Sequence, residues 1–190
     1  MAAVAHARHY PGRVVALFQD EVSCYRQPTQ GQLWSRMGRV QPHLLWSHRS
    51  NTVVRVTGVL DAVTGQNLTL QAPKISVDCL LRFYQQILDR YPQALLIYLI
   101  QDNWPNHKHE RVCAFLEAHP RLQVVFLPTY APKLNPIEKL WRWVRQTLCH
   151  AHPFCDDFRE FKQQLKLCLI QATGPDMLRY CGLTGSKIYT

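Results

Sequence analysis

The sequence predicts a mixed α/β sheet with helices on both faces, and three observations carry that expectation. Residues 13–20 (RVVALFQD) and 94–101 (ALLIYLIQ) are apolar on both alternations, the pattern of strands covered on both sides. Residues 53–62 and 67–71 flank Thr64-Gly65-Gln66, a hairpin signal. From residue 76 onward helical and strand periodicities alternate, the order that packs helices onto a sheet.

The elements follow in order. The first strand puts Val14, Ala16 and Phe18 on one face and Val15 and Leu17 on the other. Asp20 ends it on the Val14 face, and alternation sends Glu21 to the opposite face, so the two are not expected to serve one site. After the hairpin, Ser76 caps a helix with the stripe Val77, Leu80, Leu81, Tyr84 and Leu88. The second buried strand runs out at Asp102, which continues the Leu96–Tyr98–Ile100 face. A shorter helix carries Val112, Phe115 and Leu116, and a strand is expected over 122–127. In the next helix Asn135 is the expected N-cap, with Pro136 at the first position and Glu138 at N3 of a capping box. It buries Ile137, Leu140, Trp141, Val144 and Leu148. Asp157 with Glu160 opens a last helix that runs to about residue 172, before Gly174-Pro175.

Composition narrows the function classes. A chain of 190 residues with 47% apolar and 18% charged residues is expected to be one globular domain, with its core over about 13–172. The apolar run 94–100 is far short of the roughly twenty residues that span a bilayer. MAAVAHARHYPG lacks the apolar core of an export signal, and seven cysteines without a CxxC pair suit reduced thiols, so a cytoplasmic protein is expected. Twenty-two Lys and Arg against thirteen Asp and Glu give a net charge of +9, which favours a polyanion such as nucleic acid. Between Glu21 and Asp61 there is no acid, while Arg26, Arg36, Arg39, Arg49 and Arg55 stand among Trp34, His43, Trp46 and His48. Interleaved bases and aromatics suit phosphate contact and base stacking, or a solvated basic surface around two core tryptophans.

Acids are scarce, yet Asp20 and Asp102 sit where buried strands run out, and ligands of open α/β sheets collect beyond the carboxyl ends of strands. Each alone is explained as a turn former, and Glu138 alone as a helix cap with Arg142 at i,i+4. Glu138 follows Asp102 by 36 positions, with a helix, a strand and a loop between. That length returns the chain to the same sheet edge, so the three can converge. Clustered carboxylates repel unless a cation holds them, and oxygen-only ligands suit Mg²⁺ or Mn²⁺. In a basic protein such a cluster points to phosphodiester chemistry, where two ions serve the attacking and leaving oxygens.

FQDE, DNWPNHK (102–108) and LPTYAPKLNPIEKLW (127–141) together resemble the DDE transposases of the mariner-related insertion-sequence superfamily, over about residues 13–172. The resemblance implies an RNase H-like fold that cuts and joins DNA with Mg²⁺ or Mn²⁺. It implies that Asp20 bridges two ions while Asp102 and Glu138 each help hold one. Asn103, His107 and Asn135, inside the same motifs, are expected near the site, His107 as the histidine of the family's D-N-x-x-x-H stretch, without an assigned role, or else as a surface-loop histidine. Arg26, Arg36, Arg39 and Arg49, with Lys133, Arg142 and Arg145 beside the third acid, are the candidate DNA contacts. Implied partners are element ends and target DNA, with a homo-oligomer assembled on them near the nucleoid if the source is prokaryotic. Related transposases carry helix-turn-helix modules ahead of this domain, whereas here the first strand begins about a dozen residues after Met1. The expectation is therefore a single catalytic domain without those modules, served by a separate helix-turn-helix subunit. The rival expectation is a truncated, inactive transposase that only binds DNA or other subunits.

Two weaker constellations complete the reading. Cys149, His150, His152 and Cys155 crowd four zinc-type ligands into seven residues, too little chain to wrap a tetrahedral site, so loop and helix-end roles are favoured. Trp143 falls off the apolar stripe of its helix, either exposed to DNA or a second subunit, or packed at a rim.

Overall fold

The structure, a computed structural model, describes residues 2–29, 37, 45–128 and 134–184. Five strands form one sheet in the order β3-β2-β1-β4-β5, with β1 spanning Val14–Tyr25, β2 Val53–Asp61, β3 Asn67–Ala72, β4 Leu96–Gln101 and β5 Leu122–Phe126. The β1–β2–β3 meander is antiparallel, and β4 and β5 add in parallel through helical crossovers. Among the described residues six α-helices cover the sheet: α1 (Ala2–His9), α2 (Val77–Arg90), α3 (Glu110–Ala118), α4 (Ile137–Val144), α5 (Phe158–Gln171) and α6 (Pro175–Cys181). Val14, Ala16 and Phe18 pack into one core with α1, α4, α5 and α6, while Val15 and Leu17 pack into another with α2 and α3. The double apolar alternation of the buried strands thus has its expected cause. Among the described residues no helix is long and apolar enough to cross a membrane.

Several expectations are corrected. β1 does not end at Asp20 but continues to Tyr25, held there by β2 alone. Its parallel pairing with β4 stops at Phe18↔Ile100, so Asp20 lies just past the end of one neighbour and inside the ladder of the other. Ser76 caps α2 as expected, accepting from the Cys79 amide, but the buried stripe is centred on Cys79, Phe83 and Ile87, with Val77 and Leu81 half-buried. Asp157 caps α5 through two amides, while Glu160 turns away to Gln164. The short α1 and α6 carry little local signal. Val4 and Ala7 bury α1 on the sheet, and Pro175, expected only to follow a helix, begins one. Trp143 is half-buried against the α4 core. His150 Nδ1 bonds Thr29 Oγ1, and His152 Nδ1 accepts from the Phe154 amide.

Candidate active site and its groove

Asp20 is held from the α4 side. Its strand partner is Gly58, where a Cβ would stand 2.7 Å from Cη2 of Trp141. The missing side chain lets the buried indole lie against the ladder, and its Nε1–H donates to Asp20 Oδ2 at 3.1 Å. The start of α4 is tied to the same strand. Asn135, expected as a cap, makes no cap bond. Its buried Nδ2 instead donates to the Gln19 carbonyl at 2.9 Å, which seats α4 one residue from Asp20. Glu138 accordingly makes no capping bond and pairs with no base among the described residues.

Asp102 is held at the end of β4. Its Oδ1 accepts from the Trp104 amide at 3.0 Å, and the side chain is 57% exposed. Asn103 donates to the Leu127 carbonyl, which ties the ends of β4 and β5 together. The short 3₁₀ turn Pro105–Lys108 then folds His107 back under the strand, where Nε2 lies 3.5 Å from Asp102 Oδ1 and 3.9 Å from Glu21 Oε2.

Glu21 corrects the alternation argument. It does face the opposite side of β1 from Asp20, yet both line one groove of about 630 Å³ together with Asp102. The reason is the early end of β4: beyond Gln101 no strand separates the two faces of β1, and both open into the same gap. Thr57 Oγ1 and Gln19 Nε2 donate to Glu21 Oε1. The same groove is lined by Arg55, Lys74 and Trp104. Glu138 borders the adjoining apolar groove, beside Leu127, Leu134 and Arg142.

The electrostatics link all of these acids. Burial, then the charge of Glu138, then that of Asp102, pushes the Asp20 carboxyl up to about 7. Burial followed by the charge of Asp20 lifts Glu21 to about 8. Burial lowers His107 to about 4 against the opposing pull of Asp102, so its ring is neutral at neutral pH. Among the described residues no three such side chains converge on one point closely enough to hold a metal as they stand. Their charges oppose one another, and the oxygen donors of Asp20, Asp102 and Glu138 fit a hard divalent cation that would relieve this.

The expected DNA contacts divide. Arg26 is corrected: it is only 5% exposed, with its guanidinium donating to the Ser50 carbonyl, so it anchors a loop and offers no phosphate contact. Arg49 is exposed and reaches the Asp156 carbonyl, and Arg142 and Arg145 are exposed on α4 and the wide turn that continues it. Arg36, Arg39 and Lys133 lie outside the described residues, as do Trp34 and His43. The sequence reading missed Glu21, Trp141 as the donor to Asp20, and Lys74. One signal was available, because Gln19 and Gln101 occupy the core-facing alternation of otherwise apolar strands.

An RNase H-like sheet with acids gathered where its parallel strands end is the architecture of a polynucleotidyl-transfer domain. Residues 15–162 match the family described as DDE superfamily endonuclease, and the chain belongs to it. The chain is also similar to a protein of an insertion element and, in fold, to the mariner Mos1 transposase. The insertion element IS630 uncharacterized 39 kDa protein of Shigella sonnei is 26% identical over 135 residues, covering 71% of this chain and 39% of that protein. The mariner Mos1 paired-end complex with Mg has the same fold at TM-score 0.67 and 14% identity, over 96% of this chain and 55% of that one. The Mos1 transposase catalytic domain, solved with Raltegravir and Mn, gives TM-score 0.60 at 14% identity over 96% and 82%. This chain thus spans well under half the length of the curated relative.

Proposed function

We propose that this chain is a transposase catalytic domain that nicks DNA at the end of a mobile element and joins the freed 3′-hydroxyl to target DNA. One observation carries the reading: a buried Asp20 carboxyl whose ionisation is opposed by both Glu138 and Asp102, in a groove shared with basic side chains. Asp20, Asp102 and Glu138 would hold Mg²⁺ or Mn²⁺, in all two ions. Bound cations would supply activation of the attacking oxygen and stabilisation of the leaving one. The chain itself contributes placement. Trp141 fixes one oxygen of Asp20 and leaves the other to the groove. Asn135 sets the position from which α4 presents Glu138. Arg55 and Lys74, which line the same groove, would take the phosphates that flank the reacting one.

By likeness to the Mos1 paired-end complexes, the proposed partners are element-end and target DNA, with several copies of the chain assembled on them. A separate helix-turn-helix subunit for end recognition is part of the same proposal. The test is nicking of supercoiled plasmid in Mn²⁺ or Mg²⁺. Cleavage that requires the cation and disappears in Asp20→Asn and Asp102→Asn supports the reading. Plasmid binding without cleavage under every cation condition overturns it in favour of a DNA-binding fragment.

A further inference from the structure

We propose that His107 is a positioning residue for Asp102, and that it stands at the end of a buried hydrogen-bond relay running from Gln101 through Tyr84. The proposal rests on the transposase reading for its purpose, but not for its geometry. Tyr84 Oη lies 3.1 Å from Gln101 Oε1 and 3.1 Å from His107 Nδ1, and all three side chains are buried. Two side-chain atoms of this relay lack partners among the described residues, Gln101 Nε2 and His107 Nε2. Buried donors without acceptors are costly, so the pair requires an explanation.

One arrangement gives both nitrogens a role and leaves only Gln101 Oε1 in the unpaired place, which is less costly than an orphaned N–H. The oxygen and nitrogen of a glutamine amide are assigned by their network. With the Gln101 amide turned over, its Nε2–H donates to Tyr84 Oη and leaves the single Tyr84 proton for His107 Nδ1. His107 must then carry its own proton on Nε2, aimed at Asp102 Oδ1 at 3.5 Å. That distance is at the outer edge of a hydrogen bond, and a small rotation of the exposed Asp102 side chain closes it. The opposite polarity would direct a bare Nε2 lone pair at two carboxylates, Asp102 and Glu21.

The consequence lies in the carboxylate. Asp102 Oδ1 already accepts from the Trp104 amide, so a second donor from His107 commits that oxygen and leaves Oδ2 facing the groove. Asp102 is the most exposed of the groove acids. An orienting partner behind a ligating group typically changes metal affinity by about 10–100-fold.

Two readouts test this without relying on cleavage. Imidazole ¹⁵N spectra of the metal-free protein should show His107 protonated on Nε2, and Tyr84→Phe should shift that tautomer balance. Mn²⁺ binding, followed by the free-ion electron paramagnetic resonance signal, should weaken roughly tenfold in His107→Phe. It should recover most of that loss in His107→Gln, whose amide nitrogen stands near the position of Nε2. An Nδ1–H tautomer overturns the relay, as does wild-type Mn²⁺ affinity in a folded His107→Phe. If that variant fails to fold, the tautomer of the wild-type chain and its response to Tyr84→Phe still decide. Failure of the transposase reading looks different: the wild-type protein would bind no Mn²⁺ and cleave nothing while His107 kept the Nε2–H form.

Discussion

On the face of the sheet covered by α1, α4, α5 and α6, Asp20 stands in an apolar surround with one indole donor on one of its oxygens. On the face covered by α2 and α3, the same edge of the sheet is backed by Gln19, Glu21, Thr57, Tyr84, Gln101 and His107, polar side chains packed among one another. The two faces support acids in opposite ways. The first fixes Asp20 by shape, because Trp141 fits only where Gly58 leaves room. The second fixes Glu21 by hydrogen bonds from Thr57 and Gln19, which are directional. The lesson is that packing and hydrogen bonding are alternative routes to the same pre-organisation.

The comparison breaks most visibly if the acids themselves are neutralised. Asp20→Asn, Asp102→Asn and Glu138→Gln should each reduce Mn²⁺-dependent nicking to background, with melting temperatures unchanged or raised, because each removes a repelling charge. Glu138→Gln should be thermally silent, since its carboxylate makes no capping bond for the amide to replace. Robust nicking by any one of them removes that residue from the site.

Shape and bonding are separated by the supports. Gly58→Ala forces a methyl group onto the Trp141 ring and should cost about 1–3 kcal/mol, a loss of several degrees in Tm. Trp141→Phe keeps most of the bulk and removes the N–H, so it should lower cleavage more than its stability loss explains. Equal effects on folding and cleavage would show that the indole only packs.

The acids should also make metal-free stability fall with rising pH. Asp20 and Glu21 have folded values of about 7 and about 8, above their unfolded ones, so the folded state holds protons that the unfolded state has released. Their protonated forms stabilise the fold at low pH, and that contribution is lost as pH rises through the folded values. Histidine 107 has the opposite sign, since its folded value of about 4 costs stability as pH falls below 6.5. Between pH 6.5 and 8 Asp20 and Glu21 lose their protons in the folded state, so the melting temperature should drop across that window. Added Mn²⁺ should flatten the drop, and Glu21→Gln should remove its upper part. A flat profile in the metal-free protein would mean that these acids are better solvated than the groove implies.

The smallest effect concerns the groove's basic rim. Arg55→Ala with Lys74→Ala should lower the salt slope of DNA binding by roughly one unit per lost phosphate contact, without base preference. Arg26→Ala should leave the slope unchanged and reduce stability, because its guanidinium is turned to Ser50. A slope change in the Arg26 variant would reverse that assignment.

Much of this molecule was legible because local rules and tertiary demands agree. The buried strands read correctly from their double apolar alternation, and Ser76 and Asp157 cap the helices they were expected to cap. The Asn135 cap failed for a tertiary reason: its Nδ2 donates to the Gln19 carbonyl, and Oδ1 is left without an amide of the first turn of α4. Arg26 failed similarly, since charge in a sequence carries no direction, and a guanidinium can turn inward to a carbonyl.

By itself the sequence determined the sheet class, the positions of Asp20, Asp102 and Glu138 within motifs, and the positive balance that favours DNA. These are one-dimensional properties: periodicity, spacing and charge. Only the tertiary structure decided that β4 stops short of β1 and so opens both Asp20 and Glu21 to one groove. It alone set Gly58 beneath Trp141 and His107 between Tyr84 and two acids. The physical reason is distance along the chain. Trp141 is 121 residues from Asp20, and Tyr84 is 23 from His107, so nothing in the local pattern of either residue encodes its partner.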